Sequence, residues 1–183
     1  MKQLTLKAPF TVKGKGLHTG LEIEATFNPA DPGHGYKFRR VDLPDAPVID
    51  ALAENVVETT RGTVLQRGDV RVSTVEHALS ALYAAGIDNC LIDVNAPEMP
   101  ILDGSAAEYA NGIEVAGSEE QDADKDFFVI KQQIEVRDDT TGSVFLALPY
   151  DGFSVEAMLE FDSPVLDNQF AVMDDVCQYA KEI

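Results

Sequence analysis

Residues 70–94 contain the pattern that most restricts the fold of this chain: a short strand, a capped helix and a second strand in direct succession. Residues 70–72 read Val-Arg-Val, and Ser73 and Glu76 stand at the spacing of a helix-capping box. Apolar residues then recur at helical spacing as far as Gly86, which predicts a helix over residues 74–85. The apolar run at 90–94 predicts the next strand. A helix between two strands in so short a segment indicates a fold that combines helices and strands.

Weaker patterns predict further elements on both sides of this segment. Residues 21–27 alternate strictly between polar and apolar side chains, as a half-buried strand does. A second capping-box pattern, Ser105 to Glu108, predicts a helix from residue 106 to about 114. The other predicted strands are 7–13, 36–40, 127–136, 143–149 and 153–161.

An acidic polar segment suggests that the chain has two domains. Residues 118–126 hold no large apolar side chain before Phe127, so we predict a linker between a first domain at 1–117 and a second at 127–183. Both predicted domains begin with a strand, a turn containing Thr-Gly and another strand, which suggests a weak internal duplication. The second domain has no equivalent of the 74–85 helix, so we expect it to be incomplete in this chain.

The distribution of charge excludes several classes of partner. The net charge is −18, and the negative charge is concentrated after Arg71. That part of the sequence has four basic and twenty-three acidic residues. Nucleic acids and anionic membrane surfaces need a basic footprint that this chain lacks. No apolar run approaches the length of a membrane span, and the first residues do not resemble a signal peptide. With only two cysteines, a reducing cytoplasm is the expected compartment.

The residues that suggest chemistry are few, and each has a structural alternative. Glu76 and His77 are adjacent in the first predicted helical turn, where they are suited to bind a metal and act on its water, or where Glu76 simply caps the helix. Helical spacing places His77 on a face of small residues, namely Ser80, Ala81 and Ala84. His18 lies in a glycine-rich segment that is equally typical of a hairpin turn.

Asp103 has a similar ambiguity. It precedes Gly104 at the start of the second predicted helix, where it serves either as an ordinary turn residue or as a buried functional carboxylate.

Four motifs in this order and spacing resemble one family closely, the UDP-3-O-acyl-N-acetylglucosamine deacetylases, which are zinc amidases of lipid A biosynthesis. The motifs are GLHTG at 16–20, RVSTVEH at 71–77, GIDN at 86–89 and NAPEMPILDGSA at 95–106. The resemblance covers the whole chain and is strongest over residues 11–107. It implies two similar α+β domains with a Zn²⁺ site between them, in a cytoplasmic enzyme of Gram-negative bacteria.

The resemblance also implies roles for individual residues. His77 matches a zinc ligand, and Glu76 matches the general base that activates zinc-bound water. Asp103 is expected to be catalytic as well. Leu17, His18 and Thr60 are expected to contact the acylated UDP-N-acetylglucosamine substrate, which loses its acetyl group as acetate.

This sequence departs from the family in one important respect. The family takes two further zinc ligands from an H-x-x-x-D helix in its second domain, and uses another histidine as general acid or stabiliser. No histidine follows His77 in this chain. We therefore expect an N-terminal part of the deacetylase that neither holds zinc tightly nor turns over substrate alone. Some relatives carry a fused C-terminal hydroxyacyl-carrier-protein dehydratase, for which this chain is too short.

Two other functions remain open on the sequence. One is a non-catalytic module that binds a nucleotide sugar through the sheet and the glycine-rich segment. The other is a metal-independent hydrolase that uses Glu76 and Asp103 as paired carboxylates.

Overall fold

A computed structural model describes residues 1–182 of the chain, which form two compact units, Met1–Lys125 and Asp126–Glu182. The first unit is α+β, as predicted. Its strands are β1 (Lys2–Leu6), β2 (Phe10–Lys15), β3 (Glu22–Pro29), β4 (Tyr36–Arg40), β5 (Val48–Asp50), β6 (Val56–Glu58), β7 (Val64–Arg67), β8 (Val70–Ser73), β9 (Cys90–Val94) and β10 (Ser118–Asp124). Its α-helices are α1 (Glu76–Ala84) and α2 (Ala107–Ala116), and a 3-10 turn spans Ala53–Asn55.

The centre of the first unit is a five-stranded sheet in the order β2-β3-β9-β4-β5. Its neighbouring strands are antiparallel, except that β4 and β9 are parallel. The strands β6, β7 and β8 form a separate antiparallel sheet, and β1 pairs with β10. The strict alternation in β3 buries Ile23, Ala25 and Phe27 on one side of the sheet, as the sequence pattern predicts.

Helix α2 packs on the buried face of this sheet and contacts α1. Tyr109 of α2 meets the ring of Phe27 edge to face at 5.8 Å, and Phe27 in turn stacks on Phe10. Helix α2 approaches closely because Gly112 has no side chain, and a Cβ there would lie 2.4 Å from the Phe10 ring. Burying aromatic side chains of this size contributes about 2–3 kcal/mol each to folding.

Helix α1 differs in detail from the predicted helix. It begins at Glu76 because Thr74 has a left-handed backbone conformation, with φ of +58°, which ends the preceding extended segment. The prediction that Ala81 shares an open face with His77 is wrong, since Ala81 is buried with Ala78 and Leu82. Gly86 ends the helical segment with φ of +71°, as predicted.

The predicted linker is also wrong over most of its length. Residues Ser118–Asp124 form β10, which pairs antiparallel with β1 and therefore belongs to the first unit. Gln121 bonds to both Asn89 and Ala30, and Lys2 pairs with Asp122 and Asp124. The acidic composition led to the prediction of a linker. An exposed strand needs few apolar residues when its backbone and its polar side chains form hydrogen bonds and ion pairs.

The second unit consists of two hairpins followed by a short helical segment. Strands β11 (Ile134–Arg137) and β12 (Val144–Ala147) pair antiparallel, as do β13 (Val155–Leu159) and β14 (Gln169–Met173). A 3-10 turn at Val176–Gln178 leads into α3 (Tyr179–Glu182). The strands predicted at 127–136, 143–149 and 153–161 are present in shortened form, whereas β14 was not predicted. The internal duplication stays a prediction.

Candidate active site

The glycine-rich segment at 16–20 is the turn between β2 and β3, so its interpretation as a hairpin turn is confirmed. The N–H of Gly16 donates to the Leu21 carbonyl and that of Gly20 to the Gly16 carbonyl. This turn holds Leu17 and His18 at the surface, where 59% of Leu17 is exposed. The His18 ring nitrogen Nε2 lies 3.3 Å from the Arg61 carbonyl oxygen, in the loop between β6 and β7.

A buried carboxylate, Glu98, lies directly beneath this turn. It accepts hydrogen bonds from the His18 N–H at 2.9 Å, the Thr19 N–H at 2.9 Å and the Thr19 hydroxyl at 2.7 Å. Burial opposes its ionisation, but these donors outweigh burial and lower its pKa. Gly16 makes the approach possible, because a Cβ there would lie 2.3 Å from Glu98 Oε2.

Glu76 is placed differently from the predicted capping box. The N–H of Ser73 donates to the Pro97 carbonyl instead, and no side chain caps α1. The Oε2 atom of Glu76 accepts from the Thr63 N–H at 2.9 Å, across to the β6–β7 loop. The Glu76 carboxylate is therefore oriented by the β6–β7 loop and not by its own helix. Gly62 of that loop lies beside its other oxygen, Oε1.

Asp103 lies close enough to His77 for the two side chains to interact electrostatically. Asp103 is exposed and accepts from the N–H and hydroxyl of Ser105, at 2.9 and 2.8 Å. The Ser105 hydroxyl and N–H lower the pKa of Asp103, and the nearby His77 adds a smaller effect in the same direction. The turn interpretation of Asp103 is confirmed, and the expectation of a buried carboxylate is wrong.

The structure brings four chain segments together around these residues: the β2–β3 turn, the β6–β7 loop, the start of α1 and the loop before α2. Thr60 is exposed in the β6–β7 loop, next to Arg61, whose carbonyl contacts His18. The loop before α2 is fixed to the end of β2 by the hydrogen bond from the Ile101 N–H to the Lys15 carbonyl.

The described residues do not by themselves fit a zinc centre. Within residues 1–182, no three histidine, cysteine, aspartate or glutamate side chains lie close enough together to hold a metal ion. A protein zinc site takes three or four such ligands. His77 therefore has too few companions in the described part of the chain to form one.

Sequence reasoning missed two features of the site, Thr63 and Glu98. Thr63 acts through its backbone, which no side-chain pattern reveals. Glu98 had a visible signal, because it is a single carboxylate in the otherwise apolar run Ala-Pro-Glu-Met-Pro-Ile-Leu at 96–102. A charge in such a run is either exposed or paired, and here it is fully buried and paired.

Comparison with known proteins shows which family the sequence resembles. The sequence matches the LpxC family, described as UDP-3-O-acyl N-acetylglycosamine deacetylase, over residues 3–183. It is 56% identical over 183 residues to the bifunctional enzyme LpxC/FabZ of Bacteroides thetaiotaomicron, covering all of this chain and 40% of that protein. It is 50% identical over 167 residues to the UDP-3-O-acyl-N-acetylglucosamine deacetylase of Methylococcus capsulatus, covering 91% of this chain and 54% of that protein.

These matches cover most or all of this chain but only part of each relative. The chain spans about two fifths of the bifunctional relatives, including that of Porphyromonas gingivalis at 52% identity, and about half of the deacetylase from Methylococcus capsulatus. No helix in the described part of the chain has the length and apolar character that a membrane crossing requires. The family match covers nearly every residue, and the chain belongs to the UDP-3-O-acyl-N-acetylglucosamine deacetylase family, LpxC.

Proposed function

We propose that this chain supplies the base-bearing part of an enzyme that hydrolyses the acetamide of UDP-3-O-acyl-N-acetylglucosamine in lipid A biosynthesis. One observation carries the proposal: Glu76 is held by the Thr63 N–H next to His77, in a chain of the deacetylase family. A carboxylate that serves as a general base needs a fixed orientation and one oxygen directed at its substrate. The bond to Oε2 supplies the orientation and leaves Oε1 for a water molecule.

Glu76 would remove a proton from the water whose oxygen attacks the acetamide carbonyl. The new carbon–oxygen bond forms as the proton passes to Oε1. The carbon–nitrogen bond then breaks as Glu76 returns that proton to the leaving nitrogen, which yields the amine and acetate. Leu17 and His18, exposed on the β2–β3 turn, and Thr60 on the β6–β7 loop are the residues we assign to substrate contact. Asp103, near His77, is assigned to orient the imidazole.

We further propose that His77 is one ligand of a Zn²⁺ centre. The remaining ligands would not come from this chain, because the described residues hold no group of ligands around His77. This is why we expect the 183-residue chain alone to be inactive and to bind zinc more weakly than about 1 μM. Calorimetric titration with zinc tests this directly, with His77→Ala as the comparison.

Two broader features belong to the same proposal. Relatives named as bifunctional enzymes support a fusion to a hydroxyacyl-carrier-protein dehydratase in the longer protein. The two free thiols, Cys90 and Cys177, support the proposed cytoplasmic location. The proposed Gram-negative source follows from the family resemblance.

The hydrogen bonds from Ser105 argue against Asp103 as the proton donor of a paired-carboxylate hydrolase. In that mechanism one carboxyl group must hold a proton at neutral pH, which requires a raised pKa. The pKa of Asp103 is lowered instead, by the Ser105 hydroxyl and N–H and by His77. An ionised Asp103 is suited to orient a histidine and unsuited to donate a proton.

A chimera tests the proposed function. Residues 1–183 replace the matching segment of the Bacteroides thetaiotaomicron relative, and release of free amine from the acylated UDP-sugar is measured. We expect hydrolysis that chelators abolish, and a fall of about 10²–10⁴-fold in kcat for Glu76→Gln. The matched control is Glu114→Gln, an exposed position on α2. A chimera that binds the sugar but never hydrolyses it would favour the binding module.

A further inference from the structure

The carboxylate of Glu98 joins two segments of the candidate site that are far apart in sequence. Three of its hydrogen bonds come from the β2–β3 turn, about 80 residues earlier. The fourth comes from the Thr74 hydroxyl, 3.4 Å away, at the start of α1. The first segment carries His18, and the second leads directly into Glu76 and His77. One buried side chain therefore contacts both halves of the proposed catalytic surface.

The backbone of Glu98 is itself fixed against the strand that precedes α1. The N–H of Met99 donates to the Ser73 carbonyl at 2.9 Å, and the N–H of Ser73 donates to the Pro97 carbonyl at 3.0 Å. Glu98 and Ser73 form a parallel bridge between these segments. The carboxylate is thus held in a defined position relative to the first turn of α1, and it transmits that position to the β2–β3 turn.

Several residues at the site have strained backbone conformations that neighbouring contacts must stabilise. Thr74 is β-branched and adopts φ of +58°, a conformation that such residues rarely take. Arg61, whose carbonyl contacts His18, and Leu102, which precedes Asp103, also have positive φ values of 62° and 55°. Residues in these conformations persist only where surrounding contacts hold them, and they gather at functional sites. At Thr74 the hydroxyl bond to Glu98 is such a contact.

The geometry points to Glu98 as a positioning residue that fixes the His18 turn and the Glu76-His77 turn relative to each other; this inference rests on the proposed function for its catalytic meaning. It acts through Thr19 and Thr74 and contacts neither substrate nor reacting atoms. All four of its hydrogen bonds are donated to it, which suits an ionised carboxylate, because that form accepts at both oxygens and has no proton of its own to donate. A glutamine would turn an NH₂ group toward one set of donors.

Hydrogen exchange in the 183-residue chain, followed residue by residue by NMR, tests this role without any need for hydrolysis. In Glu98→Gln we expect exchange to accelerate by about tenfold or more at His18, Thr19 and Thr63. The His18 and Thr19 amides donate to different oxygens of Glu98, so one of them loses its acceptor to the new NH₂ group and the other loosens with the turn that holds both. The Thr63 amide donates to Glu76 and makes no contact with Glu98. Its exchange rate therefore reports on the position of Glu76. Amides of β3 and β9 should accelerate only by the smaller factor that the loss of global stability sets, and all amides in the control Glu114→Gln should keep their wild-type rates.

The imidazole signals give a second readout. The chain has three histidines, and we expect the ring resonances of His18 and His77 to shift in Glu98→Gln at a fixed pH while those of His34 stay in place. If Glu98→Gln does not fold, Thr19→Val serves instead, because Thr19 is exposed and the change removes one donor. It should accelerate the same three amides to a smaller extent.

Two results would overturn the inference. One is an unchanged Thr63 amide and unchanged His77 signals, which would mean that Glu98 holds the β2–β3 turn alone. The other is an acceleration at β3 and β9 as large as that at His18, Thr19 and Thr63, which would mean that Glu98 contributes only to global stability. Neither result bears on whether the enzyme deacetylates its substrate, so the chimera can fail or succeed independently.

Discussion

At the scale of single residues, the site depends on which partner each polar side chain finds. Glu76 stands at a capping-box spacing, yet its carboxylate binds the Thr63 N–H instead of capping α1. The change of partner follows from Thr74, whose left-handed conformation directs the chain away from the usual capped entry. The sequence identified Glu76 and His77 as an unusual pair, but the orientation of the carboxylate depends on a loop thirteen residues earlier.

Gly16→Ala is expected to destabilise the first unit by about 1–3 kcal/mol. The new Cβ would lie 2.3 Å from Glu98 Oε2 and 2.4 Å from Thr19 Oγ1, so the buried carboxylate would have to move. Gly14→Ala is the matched control on β2, since its nearest contact is the flexible end of Leu102 at 3.1 Å. Urea denaturation measures both. Equal stability losses for the two variants would contradict the proposed packing beneath the turn.

Glu98 should also make stability depend on pH. Its pKa is lowered in the folded chain, so its contribution is complete above the ordinary glutamate pKa of about 4.3 and is lost as pH falls through the lowered value. We expect Glu98→Gln to lower the free energy of unfolding by about 1–3 kcal/mol at neutral pH. That deficit should shrink in acid, as the wild-type carboxyl becomes protonated. A deficit that stays constant with pH, measured by urea denaturation, would argue against an ionised Glu98.

At the scale of secondary-structure elements, apolar periodicity and capping patterns predicted helices and strands correctly, whereas amino-acid composition alone did not. The strands β3, β4 and β9 and both helices of the first unit appear within a few residues of their predicted positions. The acidic segment at 118–124 was misread, because its role as β10 depends on pairing with β1 at the opposite end of the first unit's sequence. The short strands β5, β6 and β7 were missed for a similar reason, since each has three or four residues and is defined by its neighbours.

Removing residues 118–125 tests whether this segment is a linker or a strand of the first unit. A chain of residues 1–125 should keep a cooperative unfolding transition, whereas residues 1–117 should lose at least about 3 kcal/mol of stability, because the ladder between β1 and β10 disappears. The 1–117 chain also loses the hydrogen bonds of Gln121 to Asn89 and Ala30. Thermal unfolding followed by circular dichroism measures the difference. Equal stability of the two truncated chains would restore the linker interpretation.

At the scale of the whole molecule, the two units differ in how they bury apolar surface. The first unit encloses a core between its sheet and helices. In the second, the strands β12 and β14 read Val-Phe-Leu-Ala and Gln-Phe-Ala-Val-Met, and almost all of these side chains are exposed. Near-continuous apolar runs are typical of strands covered on both faces. Isolated two-stranded hairpins are also marginally stable in water.

We therefore expect the 183-residue chain to bind a hydrophobic dye and to self-associate, and residues 1–125 to do neither. Exposed apolar surface of this extent promotes association. Dye fluorescence and sedimentation velocity measure the two effects. Phe145→Ser and Phe170→Ser, which change exposed side chains of β12 and β14, should reduce both signals. A monomeric 183-residue chain without dye binding would contradict this expectation.

The sequence by itself predicted the main helices and strands, which follow from local periodicity, and the α+β class, which follows from the long motifs shared with one family. The same motifs indicated Glu76, His77, His18 and Asp103 as candidate site residues, whose roles stay predictions. Tertiary structure alone decided which atoms meet: Glu76 with the Thr63 amide, Glu98 with the β2–β3 turn, and β10 with β1. Those contacts join residues from 13 to about 120 positions apart. Local propensity carries no information over such distances, since it is folding that brings these donors and acceptors together.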